Sequence, residues 1–176
     1  MLQRRSLLVL AAVAMLAGLS VLAACSSGIT PAPSPSASLT PSQLSQGAII
    51  AAINRTRAAN GRPPLRYSGQ LEAAARSQAK LTASRDQLSH TLGVTLRERV
   101  SAAGYHGAVG ENLAGGQSTL DQAIEGWLNS PGHRDTLLST KFVEFGLAAA
   151  TVPADRTSRY KAYWAFIAGG PFEAWR

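Results

Sequence analysis

The chain has 176 residues, which is about the length of one domain. Of these residues, 45% are hydrophobic and 15% are charged, so disorder over the whole length is excluded. A single cysteine excludes both an intrachain disulfide framework and a cysteine-rich zinc site. The formal charge of +7 raises the question of a nucleic acid or an anionic membrane as partner, and the answer depends on where the charges lie.

Residues 1–24 have the pattern of a bacterial export signal. Arg4 and Arg5 precede an apolar run of the length typical of a signal peptide, and the run ends in Leu-Ala-Ala directly before Cys25. This ending resembles a lipoprotein lipobox, which implies cleavage before Cys25 and a diacylglycerol thioether on its sulfur, with acyl chains such as palmitate. Acyl chains of this kind would hold the protein on the extracytoplasmic face of an envelope membrane. The alternative is an ordinary signal or an anchor helix, with Cys25 incidental.

The next segment predicts a tether, and the rest of the chain predicts one domain. Residues 25–42 are rich in proline, serine and other small residues, which cannot form a core. Residues 43–176 have the length of a single domain. Removal of the signal, with its two arginines, lowers the formal charge from +7 to +5. The remaining basic residues are scattered singly rather than grouped into a stripe, so no nucleic-acid partner is expected.

Four helices are predicted at the start of the domain. They cover about residues 43–60, 69–85, 95–103 and 118–130. The fourth has the clearest apolar face, formed by residues that recur at helical spacing. These residues are Leu120, Ala123, Ile124, Trp127 and Leu128. Its start is predicted by a capping-box-like pattern at Ser118 and Asp121. Its end is predicted by Pro131-Gly132.

Two strands are predicted after the helices, at about residues 142–152 and 160–168. The polar segment between them suits an antiparallel hairpin. The second strand is apolar on both faces, which is typical of a central strand covered on both sides. The predicted fold class is therefore α+β, with helices on both faces of the sheet.

Short motifs in a fixed order resemble the bacterial branch of the CAP superfamily, which includes cysteine-rich secretory proteins, antigen 5 and pathogenesis-related proteins. They are Ile53-Asn54-x-x-Arg57-x-x-x-Gly61-x-x-Pro64-Leu65, Leu71-x-x-Ala74-Ala75, Ser89-His90, Gly104-Tyr105, Gly110-Glu111-Asn112, Trp127-x-x-Ser130-Pro131-Gly132-His133-Arg134 and Glu144-x-Gly146. The resemblance covers about residues 43–176 and implies a three-layer α-β-α sandwich (the CAP or SCP-like fold) with an antiparallel sheet.

The resemblance also implies a shallow cleft lined by two histidines and two acidic residues. His90 and Glu111 match the first histidine and the first glutamate. The second acidic position is Ser130 here, and the later histidine is Lys141. The bacterial branch carries His133 instead, so the predicted ligand cleft contains His90, Glu111, Ser130 and His133. The third histidine of the chain, His106, lies in a predicted turn and is interpreted as a surface residue.

Two imidazoles and one carboxylate suit either of two chemical roles. His90, His133 and Glu111 would be zinc ligands with a fourth position open, or they would act as general acid and base. The competing interpretation is structural: a buried ion pair between Glu111 and Arg134, and a hydrogen bond from His133 to a backbone carbonyl.

Two functions of different classes follow from these observations. The first is an envelope-anchored binding module whose cleft takes a small apolar or envelope-derived ligand or a protein partner. The second is a metal-assisted hydrolase acting on peptide or cell-envelope material through His90, Glu111 and His133. No residue is assigned a catalytic role by the sequence, and the binding module is the preferred interpretation.

Overall fold

The structure is a computed structural model that describes residues 39–176. The predicted signal of residues 1–24, the lipidation site Cys25 and most of the predicted tether lie outside the described residues. Within residues 39–176, no helix is long and apolar enough to cross a bilayer.

Five α-helices and four strands make up the described part of the chain. The helices are α1 (Gln46–Ala59), α2 (Gly69–Arg85), α3 (Leu96–Ala102), α4 (Leu120–Leu128) and α5 (Pro131–Leu138). The strands are β1 (Arg66–Tyr67), β2 (Ala108–Gly115), β3 (Glu144–Thr151) and β4 (Ala162–Gly170). Single 3-10 turns lie at Pro41–Gln43 and Phe172–Trp175.

The four strands form one sheet in the order β1-β3-β4-β2. Strand β4 is antiparallel to both of its neighbours, β3 and β2, and the two-residue β1 is parallel to β3. Every residue of β4 is buried, as its apolar character on both faces predicts. Strand β2 is an edge strand, and this position matters for the site described below.

Helices cover both faces of the sheet, so the predicted three-layer α-β-α sandwich is confirmed. On one face, the core joins side chains of α1, α4 and α5 to the aromatic residues of β3 and β4, and Trp127 packs against Phe166 at 5.8 Å between ring centroids. On the other face, the small residues of α2 pack on β3 and β4 together with Val100 of α3. Gly146 of β3 allows this close approach, because a Cβ atom there would overlap the backbone of Leu71 and Glu72.

Local signals explain where the helices begin and end. The side chains of Ser45, Ser68 and Thr95 cap the first turns of α1, α2 and α3. Helix α2 ends at Asp86, whose left-handed backbone has a φ of 50°. The Asp86 carboxylate accepts hydrogen bonds from Ser158, Arg159 and Tyr163, which fastens the β3–β4 connection to the end of α2.

The structure differs from the sequence-based expectation at four elements. Strand β2 was not predicted, because two glycines and two buried polar residues remove the apolar alternation of a strand. The short strand β1 was also not predicted. Pro131 begins helix α5 rather than only ending α4, in agreement with the preference for proline in a first helical turn. The cap of α4 is Thr119 and not Ser118.

The described residues begin inside the predicted tether. Leu39 packs against the core, and its carbonyl accepts a hydrogen bond of 2.8 Å from the Leu120 backbone N–H at the start of α4. The segment directly before α1 is therefore in contact with the domain.

Candidate functional site

The candidate site lies at the edge strand β2, where Glu111 and Asn112 occupy neighbouring buried positions. Successive side chains of a strand point to opposite faces. Glu111 accordingly contacts Arg99 of α3 on one face, and Asn112 contacts α5 on the other. The two residues connect the strand to both helical layers.

Glu111 and Arg99 form a buried ion pair at the centre of the site. The Arg99 Nη2 atom lies 2.7 Å from Glu111 Oε2, and the two side chains are only 2% and 1% exposed. Arg99 Nη1 also donates to the Val94 carbonyl at 2.8 Å, just before α3. Because charged groups are rarely buried without a partner, the guanidinium neutralises the carboxylate and links α3 to the sheet.

His90 contacts the second carboxylate oxygen of Glu111. The distance between His90 Nδ1 and Glu111 Oε1 is 2.8 Å, and 58% of the His90 side chain is exposed. The hydrogen bond to Glu111 raises the pKa of His90 above its ordinary value, although burial and the Arg99 charge act in the opposite direction. His90 is therefore a partly exposed imidazole that is held in orientation by a buried carboxylate.

His133 lies in α5, which packs on the face of β2 opposite Glu111. Its carbonyl accepts a hydrogen bond of 2.8 Å from Asn112 Nδ2, which fixes the first turn of α5 against the strand. Burial, and then repulsion by the His90 charge, lower the pKa of His133 below its ordinary value. Ser130, the remaining predicted cleft residue, is the N-cap residue of α5 and is half-buried.

The competing structural interpretation, an ion pair between Glu111 and Arg134, is wrong. Arg134 donates to Asn60 Oδ1 at 3.1 Å and approaches the Leu128 carbonyl, whereas Glu111 is paired with Arg99. Sequence reasoning missed Arg99 because an arginine in a seven-residue helix has the same pattern whether it is buried or exposed. A buried ion pair was expected at Glu111, but its cation comes from α3 rather than α5.

Two other residues considered from the sequence lie away from this ion pair. Lys141 is exposed, and its Nζ atom lies 4.5 Å from the centre of the Trp175 ring. His106 is exposed in the turn between α3 and β2, as its interpretation as a surface residue implies.

The arrangement does not fit a three-ligand zinc site. Both carboxylate oxygens of Glu111 already have partners, and one of these partners is the fixed cation Arg99. Across residues 39–176, no group of three or more histidine, cysteine, aspartate or glutamate side chains is placed to hold a metal ion. Zinc binding by His90, His133 and Glu111 stays a prediction, and it would require Glu111 to exchange one of these partners for the metal.

The chain belongs to the CAP family: the model of the cysteine-rich secretory protein family matches residues 50–167. A Bacillus subtilis (strain 168) relative, the uncharacterized protein YkwD, is 28% identical over 102 residues, which is 56% of this chain and 40% of that protein. The chain therefore spans less than half the length of this relative.

Solved structures show the same fold. An extracellular protein with an SCP domain from Bacillus anthracis str. Ames aligns with a TM-score of 0.61 and 25% identity, over 74% of this chain and 42% of that one. An outer surface protein from Borrelia burgdorferi aligns with a TM-score of 0.60 and 23% identity, over 71% of this chain and 91% of that one. These neighbours are extracellular or surface proteins, and they support the assignment of the fold.

Proposed function

We propose that this protein is an extracytoplasmic binding module, anchored to a membrane through Cys25, whose cleft at His90 and His133 binds a small envelope-derived ligand. The observation that carries the proposal is the environment of Glu111. Both of its carboxylate oxygens are engaged, one by the Arg99 guanidinium and one by His90. A carboxylate that is buried and neutralised in this way positions a neighbouring side chain, and it is poorly suited to accept a proton from a substrate.

The ligand group that fits His90 is a hydrogen-bond acceptor. Because Nδ1 is hydrogen-bonded to Glu111, Nε2 is the imidazole nitrogen that remains for a ligand. When the ring is protonated, Nδ1 donates to Glu111 and Nε2 is a second donor, and the raised pKa of His90 extends the pH range in which this form is present. The preferred partner is therefore an oxygen of a carboxylate, a phosphate or a carbonyl on a small molecule.

His133 adds a second imidazole with a different preferred charge. Its lowered pKa favours the neutral ring near neutral pH, in which one nitrogen donates and the other accepts. A ligand that reaches both rings can offer an acceptor to the protonated His90 and a hydroxyl to the neutral His133. This combination supports recognition of a polar group on an envelope-derived molecule.

The alternative function is a hydrolase acting on peptide or cell-envelope material. The contact of 2.8 Å between His90 and Glu111 is the observation that favours it, because a carboxylate that orients an imidazole is also part of known general-base sites. Among residues 39–176, the one side-chain hydrogen bond made by the His90 ring is with Glu111, and no serine or threonine hydroxyl contacts the ring. A hydrolase built on this pair would therefore use water, rather than a side-chain hydroxyl, as its nucleophile.

One experiment separates binding from hydrolysis. The 176-residue chain is titrated with muropeptide and lipid fractions of a bacterial envelope, and both bound material and new products are measured by mass spectrometry. We expect a fraction to bind unchanged, and binding to be lost in His90→Gln but kept in His106→Gln, the exposed matched control. Products that disappear in Glu111→Gln would establish the hydrolase instead, and binding that His90→Gln leaves intact would contradict the proposed cleft.

The membrane anchor is tested separately by labelling cells with a palmitate analogue. The expected result is label on the wild-type chain and none on Cys25→Ser, because the thioether requires the cysteine sulfur. An unlabelled wild-type chain, or label that persists in Cys25→Ser, would refute the anchor without affecting the cleft.

A further inference from the structure

A cavity lies between β2 and α5, and neither His90 nor Glu111 lines it. Its volume is about 530 Å³, and it is bounded by α5, the segment before β3, and the C-terminal 3-10 turn. This volume is within the range of small-molecule sites, roughly 300–1,000 Å³. Gly110 forms part of its wall, whereas Glu111, the next residue along the strand, faces Arg99.

The wall of this cavity is positively charged. Arg62, Arg134 and Lys141 all line it, and one carboxylate, that of Asp135, accompanies them. Within residues 39–176, none of these three cations lies within 4.0 Å of a carboxylate. The ion pairs in this part of the chain are formed by other residues. Three cations around one cavity repel each other, so an anion between them would be stabilised.

The same cavity has an aromatic side. Trp175 and Phe142 lie with their ring centroids 5.3 Å apart, and Lys141 Nζ is 4.5 Å from the Trp175 ring. Trp175 is 47% exposed, whereas Trp127 and Trp164 are at most 1% exposed. An exposed tryptophan beside a cationic wall offers apolar contact and charge to the same ligand.

We propose that this cavity binds a small molecule that carries an anionic group on a flat ring, with the anion between Arg62 and Lys141 and the ring against Trp175. Arg134 adds to the positive potential while it remains hydrogen-bonded to Asn60. The site is separate from the cleft at His90, and it does not depend on the function proposed for that cleft.

The test uses phenyl phosphate as the probe and the 176-residue chain in nonionic detergent. Binding is followed by calorimetry and by tryptophan fluorescence, to which the exposed Trp175 is the responsive contributor. We expect saturable binding that weakens about tenfold in Lys141→Gln and in Arg62→Gln, the effect of losing one charged hydrogen bond. Lys80→Gln, which removes an exposed lysine of α2, is the matched control and should bind as the wild type does.

Two further measurements test the ring contact. Inorganic phosphate and phenol should each bind at least about tenfold more weakly than phenyl phosphate, because each lacks one half of the recognised structure. Trp175→Leu should abolish the fluorescence response and weaken the binding measured by calorimetry. Equal affinity for inorganic phosphate and phenyl phosphate, wild-type affinity in both Lys141→Gln and Arg62→Gln, or no saturable heat would each overturn the proposal.

Discussion

Replacing Arg99 by methionine is expected to destabilise the folded domain by about 3–5 kcal/mol, the range found when one partner of a buried ion pair is removed. The structure supports the upper part of this range because both side chains are almost fully buried, at 2% and 1% exposure, and lie 2.7 Å apart. Methionine fills much of the arginine volume, so the loss is chiefly electrostatic. Arg55→Met, on the exposed face of α1, should change the free energy of unfolding by less than about 0.5 kcal/mol.

The loss of folding stability in Arg99→Met should depend on pH. Without Arg99, His90 is the cation left beside Glu111, and removal of the arginine charge raises the pKa of His90 further. A group whose pKa is raised in the folded state stabilises the fold fully at pH values below its unfolded pKa, which is about 6.5 for histidine. This stabilisation is lost as the pH rises through the folded pKa. The deficit of Arg99→Met should therefore be smaller at about pH 5.5 than at about pH 8.5.

Urea unfolding of the 176-residue chain at these two pH values measures both effects. The double variant Arg99→Met with Glu111→Gln should recover at least about half of the loss, because it no longer buries an uncompensated charge. A loss below about 1 kcal/mol in Arg99→Met, or no recovery in the double variant, would refute the account of Glu111 as a carboxylate neutralised by Arg99.

Two further substitutions test the fold that positions the site. Gly146→Ala should cost at least about 3 kcal/mol by urea unfolding, because the added Cβ overlaps the α2 backbone, whereas Gly132→Ala meets no atom within 4 Å and should be nearly neutral. Arg57→Met should cost about 3 kcal/mol, because the buried guanidinium donates to three backbone carbonyls, while Arg55→Met is again the control. Equal losses of stability in Gly146→Ala and Gly132→Ala would contradict the close packing of β3 on α2. Equal losses in Arg57→Met and Arg55→Met would contradict the role of the Arg57 hydrogen bonds.

The three carbonyls that accept from Arg57 explain why it is buried without a carboxylate. They belong to Pro63, after α1, and to Leu137 and Ser139, at the end of α5, so the guanidinium joins two loops. Burial and the nearby Arg62 lower the pKa of Arg57. The sequence motif that contains Arg57 therefore has a structural role.

Much of the architecture could be predicted from the sequence where the apolar pattern is regular. The face of α4 and the apolar character of β4 on both sides predicted a helix and a central strand, and both are confirmed. Strand β2 escaped prediction because its buried residues include Glu111 and Asn112, whose burial is possible only through partners on other elements. A local pattern cannot show such partners.

The candidate site could be predicted only in part, because a local pattern shows a residue but not its partners on other elements. The two separate motifs that contain His90 and Glu111 were recognised, and the contact between these residues is present in the structure. Arg99 was not recognised, since its role depends on the packing of α3 against β2 rather than on neighbouring sequence. Arg134, which was considered as the partner of Glu111, instead donates a hydrogen bond to Asn60, the residue that follows α1.

The most direct test of the central claim is an NMR titration of the histidine ring protons in the wild-type chain and in Glu111→Gln. We expect the pKa of His90 to lie above its ordinary value of 6.5 and the pKa of His133 to lie below it. We also expect Glu111→Gln to lower the pKa of His90, because the carboxylate that stabilises the protonated ring is removed. A His90 pKa at or below that of His133, or one that does not change in Glu111→Gln, would contradict the claim that Glu111 holds His90 as the donor of this cleft.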